Sequence, residues 1–448
     1  MKPVLIVAYH YPPSVAVGAV RPSKIARYLP DVGWRPIVLT ATAADQEDAR
    51  AAVDVHRVAA WTHPLSWYEE RSRRRIERAG RHDLLTATWN ASYDAVMAKP
   101  RGWKGLILPF LRVPDQELGW LAPAVARGLR LIRRNRIRAM ITTGPPFTTH
   151  LVGLWLKRLT GIGWLADFRD PWLLSHKYPL HRNRGSDWVE GRLIDQVMRR
   201  ADRVVSVTPA MTEQLCKASP QLPASKFMTI TGGFDPEEFE RIEYTRPAIG
   251  PIRFSYLGTF YHGRSPEPFL RAVHELIRDG RLAAEDIRVA FIGNVRIAEG
   301  RPVAEMIERY HLQAVVTVAE MVPRAEALKA TLESDVVLVL DERHPVQVPY
   351  KLYEGLAAGA AIFNIGSEGA VADLVTKTGR GIAVSHRSPD AIAQGIVDCI
   401  RLARQQRERS AVRPWDAAAI APFHFRAITA QVATALEEAT KEAACPAA

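Results

Sequence analysis

At 448 residues the chain exceeds what one hydrophobic core of ordinary size supports, so two large domains are expected. Hydrophobic residues make up 47% and charged residues 24%, which excludes wholesale disorder, and no uninterrupted apolar run reaches the length of a membrane span. The formal net charge of +12 calls for a polyanionic partner, whether the phosphates of a small ligand, nucleic acid or an anionic membrane surface. Cys216, Cys399 and Cys445 are spaced too widely for a zinc motif or a disulfide framework.

The N-terminal MKPVLIVAYHYPP carries a short apolar run suited to a buried first strand and not to a signal-peptide core, so a cytoplasmic location is expected. VLIVAYHY (4–11) and PIVLTA (36–41) read as strands, with helical spacing over 21–29 between them. Residues 61–120 break the rhythm as an insertion, Arg-rich at 71–81 and then aromatic and apolar at 101–120. That stretch fits an insertion with a solvated basic face. It also fits a membrane-surface or lipid-acceptor element, with Trp103, Leu106, Leu108 and Phe110 set beside arginines. Helical spacing at 122–134 and 148–159 then alternates with strands at 139–144, 163–168, 203–208 and 227–231, the text of a helix-covered parallel sheet over residues 1–235. Turn formers and charges at 233–251 read as a linker. A second α/β series follows over 250–415, with strands at 253–259, 287–293, 315–320, 336–340, 361–366 and 381–385. The tail at 420–448 holds one amphipathic helix without a strand of its own, expected to pack back on the N-terminal domain.

Four segments carry candidate chemistry. The first strand runs into YHYPPSVAVGAVRPSKIARYL, a turn before a helix start that offers backbone N–H groups to an anion; Gly18 and Arg21 belong to it. Only one glycine is present, so this is no dinucleotide fingerprint, and a plain structural turn reads equally well. TTGPPFTTH, with His150, and ADFRDPW, with Asp167, Arg169 and Asp170, lie at strand ends, where open α/β sheets gather ligand contacts. The plainer readings are a packed histidine and a surface ion-pair network. YLGTFYHGRSPEPF places Gly258, Thr259 and Arg264 at the corresponding turn of the second domain, Arg264 suited to a forked diphosphate contact or to a solvated helix start. VPYKLYEGLAAGAAIFNIG sets Lys351 in a Pro-led first helical turn, where an ammonium and free N–H groups act together on phosphate. Glu354, three residues on, is expected on the same face, to accept hydrogen bonds from ribose hydroxyls. The alternative there is a surface Lys and Glu pair.

Taken in order, YHYPPS with Gly18 and RPSKIARYL, the PD…GW…A segment at 114–122, TTGPP with His150, ADFRDPW, the GFDP turn at 233–236, GT at 258–259, P-x-K-x-x-E at 349–354 and AAG at 357–359 resemble the GT4-type glycosyltransferases over nearly the whole chain. The resemblance implies a GT-B fold of two Rossmann-like domains facing each other across a cleft. It implies transfer of a sugar, with retention, from a nucleotide-sugar donor to a glycan or lipid-linked acceptor in polysaccharide or glycoconjugate assembly. It further implies Lys351 on the donor diphosphate, Glu354 on the ribose, and Gly258, Thr259 and Arg264 lining the donor side. Asp167, Arg169 and Asp170 would be the catalytic cluster in place of the family's N-terminal histidine, with Gly18, Arg21 and His150 lining the acceptor side. No cofactor and no metal are expected, and partners are the two substrates and an anionic membrane surface, not nucleic acid. Two departures stand out: Val346 occupies the position of the first of the family's paired glutamates, and Thr259 follows Gly258 where a basic residue is common. A sugar-nucleotide epimerase of the same fold and an inactive GT-B binding module are the competing readings.

Overall fold

A computed structural model describes residues 1–14, 16–42, 53–62, 107, 109–172, 183–244, 247, 249–260, 263–409 and 417–444. They form two compact units: residues up to Thr231 together with the C-terminal helix Phe425–Ala444, and Gly232–His424. Most of the basic and aromatic stretch at 71–112, including Trp103, Leu106 and Leu108, lies outside the described residues.

The first unit is built on seven parallel strands, β1 (Lys2–Ala8), β2 (Trp34–Ala41), β3 (Asp54–Val58), β4 (Ala139–Gly144), β5 (Gly163–Phe168), β6 (Arg203–Ser206) and β7 (Phe227–Thr229), in the order 3-2-1-4-5-6-7. Val4, Leu5, Ile6 and Val7 are all at most 1% exposed because helices cover both faces, which is why this strand reads as an unbroken apolar run. The sequence pattern marks no strand at β3. Its DVHRV has only two apolar residues and every position keeps some exposure, so pairing with β2 supplies the order that its own composition does not. The helices are α1 (Val20–Tyr28), α2 (Leu121–Asn135), α3 (Thr148–Thr160), α4 (Arg184–Arg200) and α5 (Pro209–Ala218). The C-terminal helix presents Phe425, Ile428, Val432, Leu436 and Ala439, all at most 2% exposed, to this unit, and packs on α1 and β5. Lys2 pairs with its Glu437 at 2.9 Å and Arg203 with its Glu438 at 3.0 Å.

The second unit has six parallel strands, β8 (Ile252–Thr259), β9 (Ile287–Asn294), β10 (Val316–Ala319), β11 (Val336–Asp341), β12 (Ala361–Gly366) and β13 (Gly381–Ser385), ordered 10-9-8-11-12-13. Its helices include α6 (Glu267–Arg278), α7 (Val303–Arg309), α8 (Arg324–Glu333), α9 (Tyr350–Ala357), α10 (Ala370–Thr378) and α11 (Pro389–Arg409). Phe254, Phe269, Phe291 and Phe363 fill one side of the sheet, and Val337, Leu352, Leu356 and Ile362 the other. Part of the stretch read as a linker belongs to this core: Phe234 and Phe239 are buried in it, and Phe234 N–H donates to the Phe423 carbonyl at 2.9 Å. The charges and turn formers around these two phenylalanines masked the burial.

Both sheets carry the doubly wound order, so in each the direction of winding reverses once, between β1 and β4 in the first unit and between β8 and β11 in the second. The loops at the carboxyl ends of the two strands flanking such a reversal splay apart and leave a crevice suited to a ligand. No described helix is long and apolar enough to cross a membrane.

Candidate functional site

In the first unit the crevice loops are tied together by polar contacts. Asp167, at the end of β5, accepts from Arg21 Nε and Nη2, both at 3.0 Å, and from the Thr143 hydroxyl at 2.8 Å. Arg21 also donates to the carbonyls of Ile230 (2.9 Å) and Thr231 (2.6 Å), so one guanidinium joins α1, β5 and the chain beyond β7. The side chains of Arg21 and Asp167 are 6% and 2% exposed. Arg169 donates to the carbonyls of Gly18 (2.6 Å), Gly144 (3.3 Å) and Pro145, clasping the loop after β1 to the loop after β4. The polar atoms of Asp167 and Arg169 in these bonds are thus occupied by the protein's own chain, which ties the crevice loops together. Asp170 stays half-buried beside Arg169, and Gly18 contributes the carbonyl that Arg169 holds.

His150 is not a lining residue. It is fully buried, stacked on Phe168 at 4.3 Å between ring centroids and flanked by Phe147 and Trp172, and its Nδ1 shares a hydrogen bond with the Thr142 hydroxyl at 2.8 Å. Burial pushes its pKa down to about 3, so the ring is a neutral core element.

Three residues at this crevice were not singled out from the sequence: His10, Asp115 and Glu117. Asp115 accepts from the Thr148 N–H at 2.9 Å and the Thr148 hydroxyl at 2.5 Å, and so sits on the N-terminus of α3, directly after β4. A carboxylate there satisfies the helix end that would otherwise favour a phosphate. Burial, and after it the charge of Asp115, lifts Glu117 to about 8. Since its free value is about 4.5, the stability that this protonated carboxyl contributes is complete below pH 4.5 and lost as the pH rises through about 8. Glu117→Gln, which cannot ionise, is expected to gain on the wild type across that window in thermal denaturation; parallel curves would place Glu117 in open solvent. His10, directly after the buried β1 strand, has its pKa lowered by burial and then by Arg169. A polar residue following an unbroken apolar strand was the signal available for it.

The second unit's crevice differs. Helix α9 begins at Pro349 with no side-chain cap and no acidic residue in its first turn. Lys351 in that turn lays its Nζ 3.1 Å from the centroid of the Tyr256 ring, shielded from solvent and without a hydrogen-bond partner. Burial, followed by the charge of Arg264, drives its pKa well below the usual lysine value, while Asp341 at the end of β11 opposes the shift. Gly258 adopts φ +132, a conformation that favours glycine, and a Cβ there would come within 4.0 Å only of Lys351 Nζ, so the backbone leaves room beside the ammonium. Arg264 is 8% exposed and belongs to the same cluster, and the Thr259 carbonyl accepts from Tyr256 Oη at 2.8 Å. Two basic side chains are thus gathered at the winding reversal beside an uncapped helix start. The plainer alternative of a surface Lys and Glu pair does not form: Glu354 is bonded to Arg324, which also bonds Glu238 at 3.0 Å. The sequence offered no cue for Arg324, which lies thirty positions away.

Residues 100–230 match the family model described as glycosyl transferase 4-like domain. No curated protein matches the chain. Among solved structures it is similar to sucrose-phosphate synthase from Thermosynechococcus elongatus, 14% identical, with 97% of this chain and 98% of that one covered at a TM-score of 0.62. A glycosyltransferase from Rickettsia africae is 12% identical over 100% and 99% of the two chains, TM-score 0.60. HepE of Anabaena, solved with UDP, is 14% identical over 98% and 100%, TM-score 0.58. The two doubly wound units thus have the fold of the GT-B glycosyltransferases. Within the first unit, the matched segment is described as a glycosyl transferase 4-like domain.

Proposed function

We propose that the second unit holds the diphosphate of a nucleotide-sugar donor at Lys351, Arg264 and the start of α9, and that the first unit receives the acceptor, a glycan or a lipid-linked saccharide in glycoconjugate assembly. The observation that carries this reading is the contrast between the two crevices. After β4 the first unit fills the α3 N-terminus with its own Asp115, while after β11 the second leaves an uncapped helix start beside a buried ammonium that has no hydrogen-bond partner. The solved complexes of HepE with UDP and with UDP-glucose support a nucleoside diphosphate as the ligand class.

In the transfer, the bond between the anomeric carbon and the diphosphate oxygen breaks, an acceptor hydroxyl forms the new bond to that carbon, and the hydroxyl proton leaves. Negative charge grows on the departing diphosphate. Lys351, Arg264 and the α9 N–H groups meet that charge from fixed positions in a dry site, so they stabilise it more as it develops, which lowers the barrier without a metal. The departing phosphate oxygen receives the acceptor proton, and the configuration is retained, as in the family the sequence resembles. Glu354 accepts from the ribose hydroxyls, its carboxylate held by Arg324.

Thermal denaturation against a panel of nucleotide-sugars and free nucleoside diphosphates tests the assignment, because a ligand that binds only the folded state raises the midpoint. One nucleoside diphosphate and its sugar conjugate are expected to raise it. Glu354→Gln is expected to weaken binding of that diphosphate about tenfold, with a smaller loss for inorganic pyrophosphate, which has no ribose. No shift with any nucleotide would remove the donor site. Binding without turnover against any acceptor would leave a binding module and not an enzyme.

A further inference from the structure

The first unit carries an aromatic and basic face that its fold does not use. On α3, Trp155, Arg158 and Leu159 share one outward stripe, with Trp155 45% and Leu159 55% exposed. On the neighbouring α4, Trp188 is 62% exposed with Arg192 one turn further on. Arg158 Nη2 donates to Gln196 Oε1 at 2.8 Å, bridging the helices into one surface. Each tryptophan is flanked by a guanidinium, Arg158 at 5.6 Å from the Trp155 ring and Arg192 at 5.2 Å from the Trp188 ring. Phe110, 42% exposed, extends the patch at the start of α4, where a Cβ on Gly185 would come within 2.8 Å of its ring.

We infer that this α3–α4 face docks on a bilayer of anionic phospholipid. Exposed indole rings beside arginines match the headgroup level of a membrane, where the ring sits among the acyl ends and the cation among phosphates. The charge agrees: α4 carries Arg184, Arg192, Arg199 and Arg200 against Asp187, a buried Glu190 that accepts from Trp172, and Asp195, which is paired with Arg199 at 2.8 Å. Basic residues close to an anionic surface each add about fivefold to binding. Being a crossover helix between parallel strands, α4 starts at the edge of the sheet where β4 and β5 end. Docking by this face therefore brings the bilayer beside the first unit's crevice, which suits an acceptor carried on a lipid. This part of the inference rests on the acceptor assignment above; the docking itself does not.

Co-sedimentation with phosphatidylcholine vesicles, with and without phosphatidylglycerol, tests it. The wild type is expected to sediment with the anionic vesicles and to release as salt rises. Trp155→Ser with Trp188→Ser is expected to abolish sedimentation, and Arg158→Gln with Arg192→Gln to weaken it roughly 30-fold on anionic vesicles only. All variants should keep the nucleoside-diphosphate shift in thermal denaturation, which shows that they fold and separates this test from the donor assignment. Variants that sediment like the wild type would place membrane contact elsewhere. A wild type that ignores both vesicles, or that forms a dimer lost in the tryptophan variant, would make the face a protein contact and overturn the inference.

Discussion

Lys351→Met is expected to weaken binding of the cognate nucleoside diphosphate about 10- to 100-fold, the range for losing a hydrogen bond to a charged group, while making the ligand-free protein more stable. The second effect follows from the first unit of physics at the site: an ammonium shut from solvent without a hydrogen-bond partner is costly, and methionine fills nearly the same volume with no charge. The sign with pH is fixed by the lowered pKa. The folded state releases its proton more readily than the unfolded chain, so wild-type stability is highest above the free lysine value of 10.5 and falls as the pH drops through the depressed folded value. Lys351→Met should lack that dependence, so the gap in thermal midpoint between the two proteins widens toward neutral pH. Turnover should fall further than affinity, because the diphosphate gains charge as it departs. Calorimetry, kinetics and thermal denaturation across pH read all three. Unchanged affinity would make the lysine structural; a lower midpoint for the methionine variant would mean that the contact with Tyr256 outweighs the cost of burial.

Asp167→Ala is expected to cost about 3–5 kcal/mol of stability, the range for breaking a buried ion pair from one side. It strands the Arg21 guanidinium, 6% exposed, and removes the acceptor of the Thr143 hydroxyl. Replacing both partners with apolar residues, Arg21→Met with Asp167→Leu, should recover much of the loss, since no charge is left buried. Urea unfolding measures the cost. If Asp167→Ala unfolds like the wild type yet loses turnover, the carboxylate acts on substrate.

The alternation of apolar strands and amphipathic helices, repeated in two series, was enough for two doubly wound domains, because strands buried on both faces have no polar alternation to hide them: Ile6, Leu165, Val337 and Ile362 all sit in such runs. The same local logic read the Pro-led start of α9, since a helix start after a turn is a property of neighbouring residues. What depends on distant residues was beyond its reach. Asp167 and Arg169 carry the same charges whether they face a substrate or a carbonyl, and only the 146 positions closed between Arg21 and Asp167 show which. Glu354 is bonded to Arg324 from another helix, a partner that no neighbouring residue announces. Asp115 is thirty-three positions before the helix end it occupies, so neither its place nor the raised pKa of Glu117 beside it is written locally. Local sequence determines which elements form and which faces they bury; the partner of each buried charge is chosen by the packing of those elements, because the cost of leaving a charge unpaired is paid only once the sheet and helices have closed around it.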